Sequence, residues 1–264
     1  MNKKEFQERI LTYYENEKRD LPWRKTTDPY LVLVSEIMLQ QTQVTRVIEK
    51  FNEWKKTFPT IQDLANASLQ DVLRLWSGLG YNSRGKRLWE CAKIITQDYG
   101  GHVPESVEEL EKLPGIGPYT ARSILIFAHN KNIATVDTNI RRILIHEFSL
   151  SLDTTDKQLF KLAQDLVPEG KSRDWHNALM DYGSTILTAK KTGIEPKTKQ
   201  SPFSQSKRYY RGQILKHLIT HDELTLRQAK LLWDDCPYDL KEILKQLEQE
   251  ELVKKEKATY YIAS

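Results

Sequence analysis

Cysteine is scarce: Cys91 and Cys236 are the two in 264 residues, and they stand far apart. That excludes a disulfide framework and a cysteine-held metal site. The six histidines are read as offering no metal-ligand spacing, so no metal and no other cofactor is expected. Long apolar runs are missing as well; none approaches the roughly 20 residues a membrane span needs. The N-terminal stretch MNKKEFQERI is charged and helical in spacing, unlike a secretory leader. A cytoplasmic protein with no membrane contact is expected, nucleoid-associated if the source is bacterial or archaeal. Period-two alternation is nearly absent, which argues against a β-rich fold.

What is present is helical periodicity. Helices are expected over 3–17, 29–41, 43–57, 61–67, 69–77, 83–98, 105–113, 118–129, 138–148, 156–167 and 172–187. Residues 1–187 carry 25 basic and 25 acidic side chains. Residues 188–211 carry seven Lys/Arg against one Glu, and the stretch 188–206 is rich in Lys, Ser, Thr and Pro, which reads as a basic linker. Such a run is either a solubilising tether or a phosphate-facing strap. Beyond it, helices over 207–221, 225–233 and 239–250 precede an alternating LVKKEKATYYIA, the order of a winged helix.

Two stretches carry chemistry. PYLVLVSEIMLQQ is apolar almost all round, so a helix over 29–41 is buried, yet Glu36 sits in its middle. Desolvation favours the neutral, proton-donating form of such a carboxyl. The other stretch is LPGIGPYTA, residues 113–121. Gly115 and Gly117 can adopt positive φ and leave no side chain in the way, and Pro118 suits a helix first turn. The N–H groups of that helix start attract an anion. The bland readings are a buried ion pair for Glu36 and a tight αα-hairpin for the turn.

The motifs LPWR (21–24), DPY (28–30), SEIMLQQTQV (35–44), LWSGLGY (75–81), LPGIGPYTA, VDTN (136–139) and ALMDYG (178–183) fall in order along residues 1–187. In this set the chain resembles the helix-hairpin-helix DNA glycosylases, and most closely their MutY-like adenine DNA glycosylase branch. The resemblance implies an all-α, two-lobed fold, with about 24–130 as a six-helix lobe and 1–23 plus 131–187 as a second. To this the sequence adds a small winged-helix-like domain at 207–264. The implied activity is hydrolysis of the N-glycosidic bond of adenine mispaired with guanine or 8-oxoguanine in double-stranded DNA, by a monomer.

The same resemblance implies site roles. Glu36 is the acid and Asp137 the essential carboxylate, with Asn139 in support. Tyr119 stands where strand-cleaving relatives carry a Schiff-base lysine; it implies a monofunctional enzyme and a hydrogen bond to Asp137. Asp137 also reads as a helix N-cap, and Tyr119 as a packed aromatic. Trp23, Arg24, Leu39 and Asn177 match the base pocket, though Asn177 is shorter than the family's usual Gln or Glu and Trp23 also fits ordinary core. Gln41 and Tyr81 match positions that enter the duplex, with Gln40 next to them, and the bare backbone of Gly115 and Gly117 lets a phosphate come close.

The chain departs from this family in two places. Four cysteines that hold a [4Fe–4S] cluster in most relatives are missing, and the C-terminal unit is not their Nudix-like domain. Thymine/uracil glycosylases acting on G mispairs share Glu, Tyr and Asp at matching places and are the alternative reading. A non-enzymatic DNA-binding protein that kept the fold is a third.

Overall fold

A computed structural model describes residues 2–197 and 202–263. Residues 198–201 of the expected linker lie outside the described residues. The chain begins with α1 (Lys3–Glu17), a 3-10 turn (Pro22–Lys25), α2 (Pro29–Leu39), α3 (Val44–Thr57), α4 (Ile61–Asn66), α5 (Leu69–Trp76) and α6 (Ser83–Asp98). There follow α7 (Val107–Leu110), α8 (Pro118–His129), α9 (Thr138–Glu147), α10 (Asp156–Asp165), α11 (Ser172–Thr185) and α12 (Ala189–Thr192). The C-terminal segment holds α13 (Lys207–His221), β1 (Leu224–Thr225), α14 (Leu226–Leu232), α15 (Leu240–Gln249), β2 (Val253–Glu256) and β3 (Thr259–Ile262). No helix among the described residues is long and apolar enough to cross a membrane.

The residues form two compact units, each with its own core. The first takes the described residues of 1–36, 105–112 and 116–199, the second those of 37–104, 113–115 and 200–264. The grouping differs from the lobes expected above. Residues 24–36, 105–112 and 116–130 join the first unit, the last two because α8 packs on α7 and α11. The C-terminal segment joins the second, because α13 packs on α5.

In the first unit α1, α9, α10 and α11 bury Phe6, Ile10, Ile143, Leu144, Leu159 and Trp175 together. Phe6 meets Trp175 edge-on at 5.6 Å between ring centroids. In the second, Trp54 and Trp76 stack edge-on at 5.8 Å. Gly85 of α6 is required there, since a Cβ would lie 2.8 Å from the Trp76 ring. The C-terminal segment closes a three-stranded antiparallel sheet in the order β1-β3-β2, with Leu224 opposite Tyr260 and Val253 opposite Ile262. This is a winged-helix arrangement; its short strand β1 has no counterpart among the elements expected.

Several boundaries move for physical reasons. The helix expected over 105–113 is α7 alone, capped by Ser106, whose Oγ accepts from Glu109 N–H. Pro114 then disfavours a helical Leu113. The 188–206 stretch contains α12, capped by Thr188 and stopped by Gly193 at φ +69°. α2 ends at Leu39, two residues early. The cause is Arg84 of α6, whose guanidinium donates to the carbonyls of Ile37, Met38 and Gln40. Gln41 is left at φ +55°.

Candidate active site

Glu36 hangs from an apolar helix whose Leu33, Val34, Ile37 and Met38 are all buried, and is itself 8 % exposed. Burial pushes its carboxyl up to about 7, opposed by a nearby Ser123 hydroxyl and assisted by the charge of Asp137. Around neutral pH this group can therefore either donate or accept a proton.

Asp137 is the N-cap of α9. Its Oδ1 accepts from Ile140 N–H at 2.7 Å and its Oδ2 from Asn139 Nδ2 at 3.1 Å. Burial raises its pKa, and these hydrogen bonds with the charge of Arg142 work against the rise. The approach to Asp137 is fixed by side chains. Ala134 N–H donates to Gln164 Oε1 at 2.8 Å, and Thr135 N–H to His176 Nε2 at 3.2 Å. Since Nε2 accepts, the proton of His176 is on Nδ1, which donates to Ser172 O at 2.7 Å. Burial pushes this imidazole down to about 4, so it stays neutral.

Asn139 is held in turn by Arg142, whose Nη2 donates to Asn139 Oδ1 at 2.5 Å and to Gly183 O at 2.9 Å. A Cβ on Gly183 would lie 2.7 Å from Asn139 Cβ, so only glycine lets α11 come this close to α9.

Tyr119 opens α8. Its pKa is raised well above the ordinary value by burial first, then by the charges of Glu36 and Asp137. The expected hydrogen bond from Tyr119 to Asp137 is replaced. Asp137 turns both oxygens to its own helix start and acts on Tyr119 through charge alone. The hydroxyl beside Tyr119 is that of Ser123, one helical turn on, which also stands by Glu36. Ser123 is fully buried, and among the described residues its Oγ completes no hydrogen bond of normal geometry. Such a group is normally satisfied by a water or a ligand. Nothing in the sequence reading singled it out, although a serine one turn from Tyr119 was there to be seen.

Of the remaining pocket candidates, Trp23 is buried in the 3-10 turn and Asn177 in α11. Arg24 is not free to read a base. Its Nη1 and Nη2 donate to Asp181 at 2.7 and 2.8 Å, and Asp181 also accepts from Arg19. Burial tends to raise the Asp181 carboxyl, but its arginine partners outweigh that and hold it low. Asp181 lies one turn beyond Asn177 on α11, so this pair anchors the 22–25 turn beside the same helix face.

A profile of the HhH-GPD superfamily of base excision DNA repair proteins matches residues 34–169, more than half of the chain. This chain belongs to that superfamily. It is 44 % identical over 196 residues to a rat adenine DNA glycosylase, covering 69 % of this chain and 38 % of that protein. It is 33 % identical over 212 residues to a thymine/uracil-DNA glycosylase of Methanothermobacter thermautotrophicus, covering 79 % of this chain and 94 % of that one. The solved structure of a thermostable thymine-DNA glycosylase superposes with a TM-score of 0.67 at 32 % identity, over 73 % of this chain and 93 % of that chain. The chain spans between 36 and 49 % of the length of the first three curated relatives it matches.

The hairpin for which the HhH-GPD superfamily is named differs here from what its two glycines suggested. Gly115 does adopt φ +80°, with Arg87 Cβ 3.1 Å from where its own Cβ would be. Gly117 does not: as N-cap of α8 it is extended, at φ −101° and ψ 179°. Its use is openness, since no atom of the described residues lies within 4 Å of a Cβ placed there.

Leu39, Gln40, Gln41, Tyr81 and Gly115 belong to the second unit. There Arg84 is the organiser that sequence reading missed. Besides the three carbonyls of 37–40, it donates to Thr42 Oγ1, Leu79 O and Gly80 O, each at 3.0 Å. It thereby ties the turn bearing Gln40 and Gln41 to the loop bearing Tyr81. Tyr81 is 36 % exposed with φ +46°. One histidine pair was also overlooked: His217 and His221 stand one turn apart on α13 with rings stacked at 4.2 Å. Among the described residues no group of three His, Cys, Asp or Glu side chains could hold a metal ion.

Proposed function

We propose that this chain is a monofunctional DNA glycosylase of base excision repair that hydrolyses the N-glycosidic bond of adenine mispaired with guanine or 8-oxoguanine. The observation that carries it is the buried pair of Glu36 and Asp137, with Glu36 pushed up to about 7. Breaking the bond leaves its electron pair on the base and positive charge on the sugar. Glu36 gives its proton to the departing base. Asp137, oriented by Asn139 and the start of α9, faces the cationic sugar as a carboxylate. Water completes the reaction at the sugar carbon.

Tyr119 has no amine, so no Schiff base forms and the strand stays intact. The target base leaves the stack to reach these groups. Trp23 and Asn177 of the first unit contact the base, with Arg24 as a strut, and Leu39 of the second is a further base contact. Gln40, Gln41 and Tyr81 fill the gap in double-stranded DNA, and the bare backbones of Gly115 and of Gly117 each leave room for a phosphate. The chain acts as a monomer and without an iron–sulfur cluster. Four thiolates are needed for such a cluster, whereas Cys91 is buried with its thiol pushed up to about 12 and Cys236 is its sole fellow.

A thymine/uracil reading has its own support in the Methanothermobacter relative, nearly all of which this chain covers. Base release from A:8-oxoguanine, A:G, T:G and U:G duplexes separates the two. Release from the first pair alone is expected. Intact A-containing duplexes beside cleaved T:G or U:G would reverse the assignment, and release from none would leave a DNA-binding protein.

A further inference from the structure

The C-terminal segment reaches Tyr81, an exposed aromatic of the second unit. Arg208, the second residue of α13, donates to the Tyr81 hydroxyl and sets its guanidinium 5.0 Å from the centre of the same ring. A second guanidinium, that of Arg84, lies 5.6 Å from that centre. One contact at the ring and one at its hydroxyl fix both the tilt and the swing of a side chain that would otherwise hop among rotamers.

The helix that presents Arg208 is itself held. Gln70 Nε2 of α5 donates to Asp222 Oδ1 at 2.9 Å, just past the end of α13. Lys86 of α6 pairs with Glu251 at 2.9 Å, just before β2. Arg208 is half-buried, unlike a solvated linker arginine. We propose that Arg208 is a positioning residue for Tyr81, and that through it the C-terminal winged-helix-like segment sets the pose of the side chain that enters the duplex. This rests on the reading of Tyr81 as that side chain. It gives the segment a role inside the chain, in place of a separate grip on DNA.

The test uses the full chain and an A:G duplex with 2-aminopurine beside the mispair, whose fluorescence rises when the neighbouring stack opens. Arg208→Ala is expected to weaken opening and binding about 2- to 5-fold, and Tyr81→Phe, which keeps the ring, by less. In a Tyr81→Ala background, Arg208→Ala is expected to add nothing, because its effect runs through the ring. An equal loss in both backgrounds, with a salt slope shallower by about one, would overturn the proposal and make Arg208 a plain phosphate contact. Unaltered opening in Arg208→Ala would overturn it too. Should Arg208→Ala fail to fold, Arg208→Lys answers the same question through the same comparison. If the wild-type chain opens no stack, the assignment of Tyr81 fails; if it opens the stack without base release, the enzymatic reading fails and the coupling can still be measured.

Discussion

The carboxyl pair of the first unit and the Tyr81 loop of the second are held by opposite means. Around Glu36 hydrogen bonding is left incomplete: the carboxyl sits in apolar surroundings, and the neighbouring Ser123 hydroxyl has no regular partner among the described residues. Around Tyr81 it is dense, with the Nη1 and Nη2 of a single guanidinium donating to six acceptors on two loops and only its Nε left without a partner among the described residues. A group that must change protonation needs an environment that does not satisfy its charged form. A group that must arrive at one place needs a backbone that cannot go elsewhere, and its side chain can then stay exposed.

The largest effect expected from breaking this contrast is on chemistry. Glu36→Gln and Asp137→Asn should each cut single-turnover base release by about 10³-fold or more. In the wild type, release should fall as pH rises through about 7, where Glu36 loses its proton. Glu36→Gln should also stabilise the fold at alkaline pH. The folded-state value of about 7 lies above the ordinary 4.5, so ionisation in the buried site costs stability as pH rises from 4.5 through 7. The cost above that window is on the order of 3 kcal/mol. Chemical denaturation of both proteins at pH 5 and pH 9 checks it; equal gaps between them at the two pH values would show that the burial is compensated after all.

Next comes the densely bonded side. Arg84→Ala strands buried carbonyls and should cost about 3 kcal/mol or more in denaturant unfolding. Arg208→Ala, on a half-buried side chain, should scarcely move the same midpoint. Comparable losses would erase the distinction drawn between a fixed scaffold and an adjustable ring.

His176 gives a somewhat smaller effect with its own pH window. Its folded-state value of about 4 lies below the ordinary 6.5. The neutral ring therefore contributes fully above 6.5, and the contribution is lost as pH falls through 4. It amounts to about 3 kcal/mol. A His176→Gln variant should show a flatter stability profile between pH 7 and 4. The smallest effect belongs to Ser123→Ala. Its hydroxyl favours ionised Glu36, so the alkaline limb of base release should move to higher pH, with a rate change of about 3- to 10-fold. Ser123→Thr should restore the limb, whereas a purely structural serine would lower the rate without moving it.

Much of this was legible along the chain. α1, α6, α8 and α13 run where apolar spacing, caps and Pro118 put them, because their determinants are local. Glu36 stood out because a carboxylate in an apolar helix is conspicuous. The misses are long-range. α2 stops at Leu39 because of an arginine more than forty residues later. Arg24 is tied to Asp181 across 157 positions of sequence. Gly117 is extended although its motif invites a left-handed reading, because its place is that of a helix cap. Ser123 escaped notice because its meaning lies in what it fails to bond.

Gly183 limits how this site could be redesigned. A methyl group at that position would strike Asn139 at 2.7 Å, so the wall behind the supporting asparagine has no room for variation. An engineer seeking a new base preference has no second layer to adjust on that side. The freedom lies at the proposed base contacts Asn177 and Trp23, and libraries built there can leave the carboxylate's mounting intact.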